Sequence, residues 1–423
     1  MRRFTVRVGL GMAAVTALLA AVVLSGVPAA VASGGASPYS VLSVTVGTDP
    51  SAVAVDESTD IIYAANSQSG TVSVIDGATN AVTPTVTVGM YPVAVAVDED
   101  TDTIYTANES GTVSVIDGAT NTVTATVTLG TDTRGVAVDD ATDTIYATNV
   151  DSSSVSVIDG ATNTVTATIS LGTVPFGVAV DAATDTIYVA NDSASVSVID
   201  GATNTVTATV GFSGVPNAVA VDESTDTIYA ADVQAGTVVV IDGATNTVTT
   251  TVHLGPSAET DGVAVDETTD TIYAANYASN TASVIDGATN TVTATVTVGS
   301  EPNGVAVDAT TDTVYVANQN SDLLSVIIPA TVNVSPTSGR HRTPVTVSGR
   351  GFNPGETVKI TYKTGLASPK SITICTATAA SDTSYSCSGT IPPSATAGAH
   401  TAHNILAKGS TSLIKVKTTF TLT

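Results

Sequence analysis

A block of about 42 residues occurs seven times between Ser37 and Ile328. Each copy carries Ala-Val-Asp, then Thr-Asp, then a β-branched residue followed by Tyr. Near-identical copies at a regular spacing predict a repeat architecture, in which each unit covers its apolar faces only by packing against its neighbours. The aspartate of Ala-Val-Asp marks the copies at Asp56, Asp98, Asp139, Asp181, Asp222, Asp266 and Asp308.

One copy contains four short β-rich runs. In the fifth copy they cover residues 219–222, 227–231, 237–241 and 247–254, and Asp, Gly, Asn and Ser turns separate them. Such runs predict a four-stranded antiparallel meander, and no window shows apolar residues at helical spacing. Period and strand number match one blade of a β-propeller.

The last copy lacks its fourth strand. It ends with residues 323–327 and then breaks into Ile328-Pro329, whereas residues 41–47, before the first copy, have the fourth-strand pattern. An open ring would expose strand edges. We therefore expect an all-β chain in which residues 37–328 form a seven-bladed β-propeller of four-stranded antiparallel blades, closed by an N-terminal strand.

The repeat also resembles a known family. Residues 187–191 (Ile-Tyr-Val-Ala-Asn) and 314–318 (Val-Tyr-Val-Ala-Asn), with Val-Ile-Asp-Gly-Ala-Thr-Asn-Thr-Val between them, resemble the YVTN-type β-propeller repeat of bacterial and archaeal surface proteins. The fifth copy departs from the family pattern at Asp232, where the family has Asn. The resemblance implies a secreted or surface-layer propeller, usually without an assigned reaction.

The first residues predict export. A basic segment, residues 1–7, precedes the apolar residues 8–27, and small residues follow as far as Ala32. This pattern predicts a signal peptide over residues 1–32, with residues 33–36 as a linker; an uncleaved membrane anchor is the alternative. We expect a secreted, extracellular protein with no membrane span after cleavage, and association with the cell wall stays open.

Charge divides the chain. Residues 33–328 contain 36 acidic residues and one basic residue, Arg134, whereas residues 329–423 contain nine basic and two acidic residues. A region this acidic is repelled by nucleic acid and by anionic lipid, so we expect no nucleic-acid partner. The alternative is a solvated anionic surface without a binding role.

Residues 329–423, the tail domain, have another pattern. Short alternating strands with Pro and Gly turns over this length predict an Ig-like β-sandwich. Residues 335–356 and 392–401 resemble parts of bacterial Ig-like domains of the IPT/TIG kind. Cys375 and Cys387 are the only cysteines, and in an exported chain they predict a disulfide. A spacer, a wall-contacting module and a partner-binding module all remain open.

The candidate ligand site is the residue that starts the innermost strand of each copy. These seven positions, the ring residues, vary while the turns of the opposite face barely change, and a discrete ligand needs asymmetric groups. Because first strands line a propeller's channel, we expect the ring residues to encircle one mouth of it. They are Ser51, Val93, Arg134, Phe176, Asn217, Asp261 and Asn303.

Arg134 leads this hypothesis, because a guanidinium can bind a carboxylate or a phosphate through two hydrogen bonds. The alternative is that the ring residues drift freely at exposed positions and that Arg134 pairs with a neighbouring Asp.

Metal and catalytic interpretations have less support. Asn217, Asp261 and Asn303 lie on adjacent copies and carry oxygens of the kind that Ca²⁺ accepts, and lactonase-like propellers hold a metal at their channel. No Glu or His joins the three residues, so we expect no cofactor, with Ca²⁺ or another divalent ion as the alternative. We predict no catalytic residues. The repeated Asp-x-x-Thr segment predicts a tight turn, and the repeated Tyr predicts packing between blades.

Together these patterns predict a monomeric, non-catalytic extracellular or cell-surface interaction protein. Its partner is an extracellular protein, a glycan or a small molecule. The alternatives are a metal-dependent lyase or lactonase-type hydrolase at the channel mouth and a structural component of a surface layer.

Overall fold

The computed structural model describes residues 38–130, 132–255, 258–366, 369–393 and 401–423. The predicted signal peptide and linker, residues 1–36, lie outside the described residues. Across the described ranges the chain is almost wholly β, and the one helix there is the short 3-10 helix Gln319–Ser321. None of these residues belongs to a helix with the length and hydropathy to cross a membrane.

Strands form where Val, Ile, Thr, Ala and Tyr run together, and they end where Asp, Gly and Asn supply turns. In the repeat region, in chain order, they are β1 (Tyr39–Thr45), β2 (Pro50–Asp56), β3 (Ile61–Asn66), β4 (Thr71–Asp76), β5 (Ala81–Thr87), β6 (Pro92–Asp98), β7 (Thr103–Asn108), β8 (Thr112–Asp117), β9 (Thr122–Thr128), β10 (Thr133–Asp139), β11 (Thr144–Asn149), β12 (Ser154–Asp159), β13 (Thr164–Ser170), β14 (Pro175–Asp181), β15 (Thr186–Asn191), β16 (Ser195–Asp200), β17 (Thr205–Gly211), β18 (Pro216–Asp222), β19 (Thr227–Asp232), β20 (Thr237–Asp242), β21 (Thr247–His253), β22 (Thr260–Asp266), β23 (Thr271–Asn276), β24 (Thr281–Asp286), β25 (Thr291–Thr297), β26 (Pro302–Asp308), β27 (Thr313–Asn318) and β28 (Leu323–Pro329).

In the described part of the repeat region these strands make seven four-stranded antiparallel sheets. Six sheets take four consecutive strands, beginning with β2 to β5 and ending with β22 to β25. The remaining sheet has the order β1-β28-β27-β26. In the six consecutive sheets the first strand of each sheet contacts the first strand of the next, from β2 and β6 to β18 and β22. In the remaining sheet the corresponding strand is β26, which contacts both β22 and β2. Repeated four-stranded sheets of this kind fit the blades of a β-propeller.

Apolar side chains fill each junction between neighbouring sheets. The repeated tyrosine of one sheet is at most 4% exposed, and it shares a core cluster with the second strand of the next sheet. Tyr63 clusters with Ile104, for example, and Tyr315 of the last copy clusters with Ile62 of the first. The remaining tyrosines, in the same position, are Tyr105, Tyr146, Tyr188, Tyr229 and Tyr273. The sheets are therefore held together by contacts that no single repeat makes alone.

The repeated Asp-x-x-Thr segment forms a turn that its own side chains stabilise. Asp56 accepts hydrogen bonds from the Thr59 amide (3.0 Å) and the Ser58 hydroxyl (2.7 Å) through one carboxylate oxygen. The same aspartate–amide bond occurs in the other copies. These carboxylates cap the backbone.

The fifth copy replaces two repeat residues together. In the other copies a buried Asn on the second strand donates to a Ser on the third, as in Asn66 to Ser73 (3.0 Å). In the fifth copy the Ser position is Val239, and Asp232 stands in place of Asn. One Asp232 oxygen accepts the amides of Val215, Gln234 and Ala235 at 3.0–3.1 Å. The departure from the YVTN pattern thus accompanies the loss of the serine partner.

The tail domain contains two further sheets. Its strands are β29 (Asn333–Ser335), β30 (Ser338–Gly339), β31 (Pro344–Gly349), β32 (Thr357–Lys363), β33 (Ser371–Thr378), β34 (Tyr385–Thr390), β35 (Ala402–Gly409) and β36 (Lys415–Leu422). They form a three-stranded sheet, β29-β31-β34, and a five-stranded sheet, β30-β36-β35-β32-β33. Residues from both sheets share one apolar core that includes Val347, Ile360, Tyr385 and Phe420.

The predicted disulfide is present. It joins Cys375 on β33 to Cys387 on β34. These strands follow each other in the chain but belong to different sheets, so the bond links the two sheets across the domain edge.

The tail domain meets the repeat region on the side of the Asp-x-x-Thr turns. The Arg350 guanidinium lies 4.0 Å from the Asp312 carboxylate and donates to the Thr313 hydroxyl at 3.4 Å. The Ala330 amide donates to the Pro38 carbonyl at 2.8 Å. One basic residue of the tail domain therefore touches the acidic repeat region.

The contribution of strand β1 to stability can be tested by deleting it. It pairs with β28 from Tyr39↔Pro329 to Thr45↔Leu323, and Val44 is 6% exposed within the core. Deleting residues 37–47 should expose the β28 edge and the cluster around Val44, which promotes aggregation and lowers the melting temperature by at least about 5 °C. Thermal unfolding with light scattering measures both effects. Val44→Asp should reproduce the loss and Ser43→Asp, at an exposed position of the same strand, should not. A deletion variant that melts like the intact chain would contradict the prediction.

The paired replacement at Asp232 and Val239 can be tested by restoring the residues of the other copies. Asp232→Asn should lower the free energy of unfolding by about 1–3 kcal/mol, because the amide accepts the three backbone N–H groups more weakly and its own N–H group finds no serine. Adding Val239→Ser, which supplies the serine of the other copies, should restore part of the loss. Urea unfolding of the two variants measures this. An Asp232→Asn protein as stable as the unaltered one would show that the paired replacement has no energetic role.

Candidate binding site at the ring opening

Each ring residue lies in a β-bulge at the start of the first strand of its sheet. The pairing of β2 with β3, for example, shifts register between Pro50 and Ala52, around Ser51. The other six first strands shift register at the equivalent place. A bulge bends its strand and redirects a side chain. The repeat therefore places its seven variable side chains at the same bulged position of each first strand.

The residue after each ring residue is Gly or Ala because the next sheet passes close to it. A Cβ on Gly135 would stand 2.6 Å from the Phe176 carbonyl oxygen, and one on Gly177 would stand 2.8 Å from the Asn217 carbonyl oxygen. Even the methyl group of alanine does not fit at such distances unless the neighbouring backbone shifts, so these two positions require glycine. The close approach brings neighbouring ring residues together.

All seven ring residues line one cavity of about 440 Å³, hereafter the ring opening. A small polar or drug-sized ligand fits a volume of this order. Glu109, Ser67 and Gln319 also line it. Ser51 is 6% exposed, Arg134 is exposed, and the other five ring residues are partly buried.

Arg134 is paired with two carboxylates. Its Nε lies 2.6 Å from an Asp132 oxygen and its Nη1 lies 3.0 Å from a Glu109 oxygen. Burial raises the pKa of Glu109 and the charge of Arg134 opposes that shift. The positive charge of Arg134 is therefore compensated by carboxylates of the same chain.

Asp261 is the second charged ring residue. Burial raises its pKa to about 7, and repulsion from Glu259 adds to the shift. The Asn217 side-chain amide donates to the Asp261 backbone carbonyl at 3.3 Å, which links two adjacent ring residues. A carboxyl group with this pKa can serve as hydrogen-bond donor or acceptor near neutral pH.

The three residues predicted as weak metal ligands do not make a calcium site by themselves. Ca²⁺ takes six to eight oxygen ligands, and Asn217, Asp261 and Asn303 offer one carboxylate and two amides. In the described ranges no group of three or more His, Cys, Asp or Glu residues is placed to hold a metal ion.

Thr148 is a site residue that was not predicted from the sequence. Its hydroxyl accepts a hydrogen bond from the Gly135 amide (2.7 Å) and donates to the Phe176 carbonyl (2.6 Å). The other copies have Ala at this position, so a comparison between copies could have found it. Thr148 thereby fixes the backbone of two adjacent ring positions, those of Arg134 and Phe176, relative to each other.

A second feature that sequence analysis missed lies where the first strands end. The residue after Ala-Val-Asp is often Glu, and its carboxylate accepts a backbone amide of the preceding sheet. Glu99 accepts from Glu57 (3.1 Å), and Glu57 accepts from Ala309 of the last copy (2.8 Å); Glu223 and Glu267 do the same. These acidic groups connect neighbouring sheets.

Comparisons with known proteins agree with the fold and leave the activity open. No protein-family model matches this chain, and no curated protein matches it. Among solved structures, a chain of hydrazine synthase from Kuenenia stuttgartiensis is similar, with a TM-score of 0.62 and 19% identity over 67% of this chain and 96% of that chain. At this identity the likeness shows the fold alone, which fits a β-propeller.

Asp261 makes stability depend on pH. Its pKa is about 7 in the folded protein and about 3.9 in an unfolded chain. The stability that the protonated group contributes is complete below about pH 4 and is lost as the pH rises through about 7. The melting temperature of Asp261→Asn should therefore rise increasingly above that of the unaltered protein between about pH 4 and 7, and the difference in stability should be constant at higher pH.

Differential scanning calorimetry at several pH values measures this difference. Asp192→Asn, which removes the same charge from an exposed position outside the cavity, is the control for net charge. A difference for Asp261→Asn that does not change with pH would contradict the raised pKa.

Proposed function

We propose that this chain is a non-catalytic extracellular interaction protein whose ring opening binds a small polar ligand, with a neutral glycan as the favoured class. The fold that presents it is a seven-bladed β-propeller over residues 37–328, closed by the N-terminal strand β1. An Ig-like β-sandwich over residues 329–423 follows. Support for closure comes from the pairing of β1 with β28 and from the contact between β26 and β2.

The observation that carries the proposal is the composition of the 440 Å³ cavity. One partly buried aromatic ring, Phe176, stands among hydroxyl, amide and carboxyl groups from different sheets. Sugars present both an apolar ring face and several hydroxyl groups, and pockets for such ligands combine an apolar wall with a few fixed polar groups. The polar ring residues of the cavity are Ser51, Asn217, Asp261 and Asn303, and its apolar ring residues are Val93 and Phe176.

Charge argues for a neutral ligand over an anion. Asp132 and Glu109 already pair with Arg134, so an anion would meet a guanidinium whose positive charge is already compensated. Asp261 adds a further acidic group to the lining. An anionic ligand would therefore meet more repulsion than the sequence alone indicated.

Export is part of the proposal. The basic and apolar leader predicts secretion, and a disulfide is typical of proteins in oxidising compartments. The Cys375–Cys387 bond supports an extracellular location. A metal-dependent lyase or lactonase-type hydrolase and a surface-layer component stay predictions from sequence, and no contact in the cavity favours either.

The test is a titration of the protein with a panel of neutral mono- and disaccharides and their uronic-acid counterparts. Phe176→Ala should lower the affinity for the tightest-binding neutral sugar by at least about tenfold, since burial against a Phe ring contributes about 1.5–3 kcal/mol. Phe212→Ala, which removes the same ring from a cluster between two sheets outside the cavity, should bind normally. Equal losses in both variants would reject the site. If the uronic acids bind more tightly than the neutral sugars, the result would instead support the hypothesis that Arg134 binds an anion.

A further inference from the structure

The outer face of the five-stranded sheet in the tail domain carries a row of lysines. Strand register places Lys359 on β32 opposite Lys408 on β35, and Lys408 opposite Lys415 on β36. All three side chains are exposed. Adjacent strands lie about 4.8 Å apart, so three ammonium groups extend from consecutive strands along one line across the sheet.

Two more lysines lie on the same face. Side chains two residues apart on a strand point to the same side, which adds Lys363 on β32 and Lys417 on β36. Lys417 is exposed and pairs with the partly buried Leu406. Around the lysines the face carries hydroxyl and amide groups, from Thr357, Thr361, Asn404, Thr419 and Thr421.

Among the described residues no carboxylate forms an ion pair with these lysines. The two acidic residues of the tail domain are Glu356 and Asp382. Glu356 is 5% exposed and accepts hydrogen bonds from Asn353, Thr411 and Ser412. Asp382 lies before β34, in the other sheet, and accepts from Ser384. Glu356 therefore holds the turn between β35 and β36, which joins Lys408 to Lys415, whereas Asp382 stabilises a turn before the other sheet.

Such a row costs folding stability. Like charges directly opposite each other on neighbouring strands repel, and sheets usually place an opposite charge or a neutral side chain there. An anionic partner bound along the row would remove this repulsion. The arrangement is thus unfavourable for the isolated domain and favourable for a complex.

We propose that this lysine face binds a linear anionic polysaccharide with a carboxylate on its sugar rings. Lysine side chains are long and flexible, so those on neighbouring strands reach successive charges of an extended polymer. The hydroxyl and amide groups between them suit sugar hydroxyls. The site is separate from the ring opening, and it assigns the tail domain a role in attachment to an extracellular polymer.

Other anionic partners fit this face less well. Single-stranded nucleic acid stacks its bases on aromatic rings, and all four Phe and Tyr residues of the tail domain are buried. A lipid surface takes up apolar side chains, and no exposed large hydrophobic residue lies on these strands. A second copy of the chain could present its acidic repeat region to the lysines, although the two net charges of −25 repel each other at long range; it is the main competing partner, and the sedimentation experiment below distinguishes it.

The test compares binding of polygalacturonate to the protein and to the variant Lys359→Gln/Lys408→Gln/Lys415→Gln at about 50 mM salt. The variant should bind at least about tenfold more weakly, because three exposed charge contacts are lost together. Its melting temperature should be equal or higher, because the repulsion across the strands is removed. That combination separates a binding role from a structural one.

The charge-matched control is Arg340→Gln/Arg342→Gln/Lys370→Gln, which removes three charges from exposed positions outside the strands of this face. It should keep most of the affinity. Equal losses in both variants would mean that only total charge matters, and unchanged binding in the lysine variant would reject the face. Tighter binding of phosphatidylglycerol vesicles or of a single-stranded oligonucleotide would overturn the assignment to a polysaccharide. Self-association in sedimentation experiments that the lysine variant loses would assign the face to a second copy.

Discussion

Packing between neighbouring sheets is the interaction on which the structure depends. Each four-stranded sheet has two apolar faces, and one repeat has no second layer to cover them. The repeated tyrosine and the second strand of the next sheet form a joint core at every junction, including the one between Tyr315 and Ile62. Because the last junction uses the first copy, stability belongs to the repeat region as a whole and to no individual repeat.

The same packing produces the candidate site. Glycine after Arg134 and Phe176 permits the close approach of the first strands, and the bulge at that point lies where the ring residues line the cavity. The scaffold of the opening is thus repetitive while its lining is free to differ between copies. A ring of this kind positions unrelated side chains on rigid strands, which is the usual requirement for a binding site with fixed geometry.

Charge has different roles in the two parts of the chain. In the repeat region many carboxylates serve the backbone, as turn caps such as Asp56 or as links between sheets such as Glu99. In the tail domain the acids are likewise occupied, but the lysines face solvent. The acidic surface is therefore partly a consequence of how the turns are built, and the basic face has no comparable structural explanation.

The period of the repeat, the number of strands in each copy and the disulfide follow from sequence alone, since local patterns determine strands and turns. The position of the ring residues also follows, because the residue before Gly/Ala-Val-Ala-Val-Asp occurs once in each copy. The pairing of Arg134 with Glu109 came only from the structure, because Glu109 lies on the neighbouring sheet. The contact of Thr148 with Phe176 and the lysine row across β32, β35 and β36 depended on the structure for the same reason. Strand order and register bring together residues that are distant in the chain, and only the folded arrangement specifies which side chains then meet.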